Sequence, residues 1–230
     1  MQSMGEFRRY LEGKRVVLVG PASTLQGKGL GPFIDAFDVV VRLNHAWPLP
    51  QELKDDIGSR TDVLYHNLNP DHQRFRRSDV IRMKEAGVKW FVSAHPTNRI
   101  AYRRRLRRFR RLNRGLLKTR AMPASVKRHL RRRVGSSNAG LAAIVDLLRF
   151  PLAHLHVTGF SFYTTGYLDY PSYAARFHTK ALLHHDQNRH KTYLARLVAR
   201  EARLSVDPVI ARLLTAHMKQ AGPRSLSTGL

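Results

Sequence analysis

The sequence has no cysteine. That excludes a disulfide scaffold, a thiolate zinc site, an iron–sulfur cluster and a cysteine nucleophile, and it fits a reducing compartment. Acid is scarce: 16 Asp and Glu stand against 41 Lys and Arg, a formal charge of +25. Residues 99–133 hold 16 of those basic residues and no acid, so the excess is concentrated in one stretch. No apolar run reaches the roughly 18 residues a membrane-spanning helix needs. Residues 1–15 are polar and have no apolar h-region, which excludes a secretory signal. The expected address is the cytoplasm, with peripheral attachment at the inner membrane face. Two glycine motifs are also missing. Gly20-Pro21-Ala22-Ser23 is not a dinucleotide fingerprint, and the trio Gly27, Gly29, Gly31 lacks the Lys-Ser or Lys-Thr of a P-loop.

What is present is a chain of 230 residues and 26.4 kDa, 43% hydrophobic. That is enough to bury one core. We read one α/β domain over 1–221 and a disordered tail over 222–230. Residues 15–19 (RVVLV), 38–43 (DVVVRL), 61–65 (TDVLY), 88–92 (VKWFV) and 154–158 (HLHVT) read as buried strands. Helical patterns cover 5–12, 73–86, 138–149, 186–203 and 207–219, with Asn138 as a helix N-cap. Alternating strands and helices predict a single Rossmann-like domain with a mostly parallel central sheet flanked by helices. Residues 99–133 break the alternation. They read as an inserted, Arg-rich helical segment or flap, split near Met122-Pro123.

An anionic partner is the natural reading of such a stretch. It has few aromatics, Tyr102 and Phe109, so base stacking is poorly supported. An anionic membrane surface or an anionic acceptor is favoured over nucleic acid. Histidines cluster at His178, His184, His185 and His190, beside Asp186. Asp186 and His190 share a helix face, but His185 and His190 do not, and a zinc site needs three or four convergent ligands. No metal or other cofactor is expected. One of these histidines acting as a general base is the sharper reading.

Three stretches, taken in order, resemble the sialyltransferases of glycosyltransferase family 29. Val16-Val17-Leu18-Val19-Gly20-Pro21-Ala22-Ser23-Thr24-Leu25, continuing through Gly31-Pro32-Phe33-Ile34-Asp35 to Arg42-Leu43-Asn44, is similar to the large sialyl motif. Gly58-Ser59-Arg60-Thr61-Asp62 is similar to the step that follows it. Ser136-Ser137-Asn138-Ala139-Gly140-Leu141 with Gly159-Phe160 resembles the small motif, and His185 through His190 the very small motif. Pro21, Ala139 and His190 stand where the family has Asn, Thr and Glu. The cysteine pair and membrane anchor of animal members have no counterpart, which points to a bacterial-type member.

The resemblance implies a GT-A-like variant of the fold. It implies inverting, metal-independent transfer of sialic acid, or a related 2-keto sugar acid such as Kdo, from a CMP-sugar donor to a glycan or glycolipid acceptor. His185 is then the base, with adjacent His184 as its competitor. Gly20, Ser23, Thr24, Asn44, Ser137, Asn138 and Gly140 would hold the donor. Turn-making and helix capping remain the alternative roles of Asn44 and Asn138. Tyr163, Tyr167 and Tyr173 would face the donor carboxylate or the acceptor, or pack their loop.

Overall fold

A computed structural model describes residues 2–44, 46–69, 74–94, 100–168 and 186–221. Seven strands form one sheet: β1 (Arg15–Val19), β2 (Val39–Leu43), β3 (Val63–His66), β4 (Trp90–Ser93), β5 (Lys118–Ala121), β6 (His154–Thr158) and β7 (Leu204–Val206). Their order is β5-β4-β3-β2-β1-β6-β7 and every pairing is parallel. Helices cover both faces, so the central strands are apolar on both sides; every residue of β2, β3 and β4 is buried.

The strands sort their side chains by alternation. Val16 and Leu18 point to one face with α1 (Gln2–Leu11), α6 (Ala124–Val134), α7 (Ala139–Leu147), α8 (Gln187–Arg200) and α9 (Pro208–Ala221). Val17 and Val19 point to the other, with α2 (Gly31–Asp35) and α3 (Lys54–Ile57). On that same face α4 (Arg77–Glu85) and α5 (Ile100–Asn113) cover β3 and β4 through Leu64, Phe91 and Phe109. The Phe91 and Phe109 rings stack at 3.8 Å.

The described part of the basic segment, residues 100–133, is not an insert or flap. It is a regular part of the sheet: α5 packs Leu106 and Phe109 into the core, β5 forms an edge strand, and Pro123 opens α6 on the opposite face. Lys118-Thr119-Arg120-Ala121 does not read as a strand because only Arg120 is buried. Its burial is enforced from elsewhere. The Arg120 guanidinium donates to both carboxylate oxygens of Asp146, Nη1 at 2.7 Å and Nη2 at 3.0 Å, and the Tyr65 hydroxyl donates to the same carboxylate at 2.8 Å. The pair is 2% and 0% exposed. Phe7 and Phe150 lie against the guanidinium at 4.6 and 5.2 Å. Burial also drives the Tyr65 pKa upward, so its hydroxyl stays a donor. This cluster ties β3, β5 and α7 together.

Candidate active site

Connections step outward from β1 to β5, then return to β6 on the other side of β1. In an open parallel sheet the crevice at such a reversal, beyond the carboxyl ends of the strands, is the expected ligand site. Here it is a half-open cleft lined mainly by apolar and aromatic side chains with a few polar groups, the make-up of a small-molecule site. Its walls are the ends of β1 and β2, the first turn of α7, the segment 159–167 and one face of α8.

Close backbone approach shapes its floor. A Cβ on Gly20 would collide with the Gly159 carbonyl and stand 2.7 Å from the Phe160 ring. One on Gly159, whose φ is +72°, would come within 2.7 Å of the Gly20 carbonyl. Gly140 is empty of side chain because the Phe160 ring fills that space. The glycines of the large and small motifs thus lock β1, β6 and α7 around one phenylalanine. Asp207 completes the lock, accepting from the Thr158 hydroxyl and the Gly159 amide at 2.9 Å each.

The expected donor-holding residues divide. Asn44, Asn138 and Gly140 line the cleft. Gly20, Ser23, Thr24 and Ser137 do not line it. Gly20 serves the strand crossing just described. The Ser23 amide donates to the Gly166 carbonyl at 2.9 Å, and the Thr24 hydroxyl is buried with no partner. Ser137 lies behind the wall, 3.3 Å from the Lys127 ammonium.

Asn44 follows β2 with φ +46°, a left-handed conformation that asparagine tolerates. Its Oδ1 accepts from the Asn67 amide at 3.0 Å, which leaves its Nδ2 as the group to donate to a ligand. Asn138 does cap α7, its Oδ1 accepting from the Leu141 amide at 2.8 Å. Its Nδ2 donates to the Tyr163 hydroxyl at 3.3 Å, so capping and cleft lining belong to one side chain. Tyr163 and Tyr167 both line the cleft, and Phe162 and Tyr163 hold consecutive positive φ angles of 50° and 65°. Such strain in bulky residues is characteristic of binding loops. The Ser161 hydroxyl, also in the lining, is buried with no partner.

His184, His185 and Tyr173 lie outside the described residues. The described chain resumes at Asp186, which caps α8 by accepting from the Arg189 amide at 3.0 Å. His190 lines the cleft, and its Nε2 is 2.6 Å from the Ser136 carbonyl, so that nitrogen carries the proton. Burial holds the His190 pKa down. Asp186 and His190 are thus committed to capping and loop anchoring rather than to a shared ligand. The importance of His190 was signalled by its place at the last position of the very small motif. Much of the rest of the large motif builds scaffold. Asp35 accepts from the Ser59 and Arg60 amides at 2.7 and 3.1 Å, and buried Arg42 donates to the carbonyls of Ile57 and Arg60 at 2.6 and 2.9 Å. The glycine trio has a local role as well. Gly27 and Gly29 amides bind the Asp56 carboxylate at 2.7 and 2.8 Å, which holds its pKa down.

Lys127 was hidden among its basic neighbours. Burial lowers its pKa to about 8. A lysine depressed in the folded state binds its proton less readily there than in the unfolded chain, so stability rises as pH climbs from about 8 toward the unfolded value. Lys127→Met is expected to raise the melting temperature at pH 7 by a few degrees and to remove that part of the rise between pH 8 and 10. Paired thermal melts against the parent protein test this; a lower melting temperature at pH 7 contradicts it.

No Asp, Glu, Lys or Arg is among the lining residues. The described residues hold no group of three or more candidate metal ligands.

Comparison with known proteins converges on one family. Residues 8–119, just under half of the chain, match the model of glycosyltransferase family 29 (sialyltransferase). Two relatives named CMP-N-acetylneuraminate-beta-galactosamide-alpha-2,3-sialyltransferase 1 align with this chain. The Sus scrofa protein is 31% identical over 100 residues and the Mus musculus protein 30% over 99; each alignment covers 41% of this chain and 28% of the relative. The alignments therefore span under a third of those relatives. A mammalian sialyltransferase in complex with Gal-beta-1-3GalNAc-ortho-nitrophenol superposes with a TM-score of 0.54 at 16% identity, covering 87% of this chain and 71% of that one. A second mammalian sialyltransferase structure gives 0.56 at 14% identity, covering 85% and 69%. Residues 8–119 are thus similar to glycosyltransferase family 29, and the likeness of fold to the two mammalian sialyltransferase structures extends over most of the chain.

Proposed function

We propose that this chain is an inverting glycosyltransferase of family 29 that moves sialic acid, or a related 2-keto sugar acid such as Kdo, from a CMP-sugar to a glycan hydroxyl. The observation that carries the reading is the cleft at the sheet's reversal, where Asn44 of the large motif meets Asn138 and Gly140 of the small one. In the first turn of α7, Asn138 Oδ1 takes the Leu141 amide. The amides of Ala139 and Gly140 then remain for an anion at the positive end of the helix. A single phosphate suits such neutral donors, and the proposed reaction uses no metal. Asn44 Nδ2 and the Ser161 hydroxyl supply further donors.

In the proposed step the acceptor oxygen bonds to the anomeric carbon as the bond from that carbon to the phosphate oxygen breaks. CMP departs with the electron pair, and His185 takes the acceptor's proton. His185 is assigned through the motif, whose first position it holds in the sequence.

The test uses purified protein in EDTA, offered CMP-sialic acid and then CMP-Kdo, with CMP release and CMP binding both measured. Release from one donor, with binding undiminished by EDTA, is expected. Failure of CMP to bind overturns the reading.

A further inference from the structure

We infer that α5 and the pocket beneath it form a docking site for anionic phospholipid at a bilayer surface. The pocket is a half-open hollow on the face of the sheet that carries α4 and α5. Its apolar lining includes Leu68, Phe75 and Leu112, and its charged lining is Arg74, Arg105 and Arg108. None of the three arginines forms an ion pair or hydrogen bond among the described residues. Guanidinium groups are suited to bidentate binding of phosphate oxygens, and the apolar walls suit the glycerol and upper acyl region.

The helix around the pocket has the composition of an interfacial element. Arg103, Arg104, Arg107 and Arg111 are exposed, and Ile100, at its start, is 60% exposed. Arg105 lies over the half-exposed Tyr102 ring at 5.6 Å. Basic residues with an exposed apolar residue and an aromatic ring favour the headgroup boundary of an anionic membrane. Nucleic acid would be drawn by the same charge, but the apolar walls of Leu68, Phe75 and Leu112 beside the arginines offer its phosphates nothing.

The site also bears on the cleft. Asn67 donates to Asn44 in the cleft, and the next residue, Leu68, lines the arginine pocket. Both open beyond the carboxyl ends of neighbouring strands. The inference does not depend on the transferase reading, since it concerns binding alone.

Sedimentation with phosphatidylcholine vesicles, with and without phosphatidylglycerol, tests it at about 0.1 M salt. The full chain is expected to bind only the anionic vesicles. Arg105→Glu/Arg108→Glu is expected to lower the partition coefficient at least tenfold, whereas Arg131→Glu/Arg132→Glu on α6, with the same net charge, lowers it much less. Circular dichroism confirms folding of both variants. Equal losses in the two variants would reduce the effect to net charge and overturn the site. A stronger, variant-sensitive binding to single-stranded RNA than to anionic vesicles would overturn the choice of ligand.

Discussion

Asp146→Ala is expected to destabilise the protein by about 3–5 kcal/mol, the usual cost of removing one partner of a buried ion pair. The geometry explains why the loss should be severe. The carboxylate accepts two hydrogen bonds from Arg120 and one from Tyr65, and Arg149 approaches it at 3.9 Å. Without it, a guanidinium remains in the core with Phe7 and Phe150 around it and no counter-charge. Most of the penalty lies in that stranded charge, not in the intrinsic worth of the pair. Arg120→Met/Asp146→Leu should therefore recover most of the lost stability. Urea denaturation of the three proteins decides the matter: a double variant as unstable as Asp146→Ala would show that lost packing, and not an unpaired charge, dominates. The prediction reaches the cleft because Asp146 belongs to α7, whose first turn forms one wall. CMP affinity should fall in Asp146→Ala and return with the double variant.

The same cluster marks how far local sequence reading extends. β1 and β2 are largely apolar runs whose identity as buried parallel strands follows from the sequence alone. β5 does not, because the reason Arg120 can be buried lies in Asp146, 26 residues further on. Residues 99–133, with sixteen basic residues and no acid, suggest a solvated segment, although Leu106, Phe109, Val126 and Leu130 carry a helix-spaced core signal through it. In the site, the motif glycines Gly20 and Gly140 read as donor-holding positions. Their packing partner was not legible: Gly20 faces Gly159 and Phe160, a contact between strands far apart in sequence. Asn44 and Asn138 were legible as candidate site positions, and Asn138 both caps α7 and lines the cleft. His190 was visible only as a departure from a motif. Its hydrogen bond to the Ser136 carbonyl gives the departure a physical role, since it holds the loop that leads into the α7 cap.

His185→Ala is expected to lower turnover by about 10²–10⁴-fold, the range a positioned general base contributes, while leaving CMP affinity unchanged. The two readouts separate because a base acts on the acceptor's proton in the transition state and makes no contact the nucleotide needs. His190→Ala is expected to show the opposite balance. Removing its bond to the Ser136 carbonyl frees the 135–138 loop, so CMP affinity falls and turnover at saturating donor falls less. The pair of variants therefore distinguishes chemistry from donor positioning on neighbouring residues of one motif. The pH profile supplies a further readout. If His185 is the base, parent turnover should decline as pH falls through the imidazole pKa, and the variant's residual activity should lose that limb. His184→Ala should retain most of the activity. If instead His184→Ala abolishes turnover while His185→Ala keeps it, the base lies one residue earlier and the motif alignment must shift with it. If neither changes turnover, neither His184 nor His185 removes the proton, and the inverting mechanism must find its base in another residue.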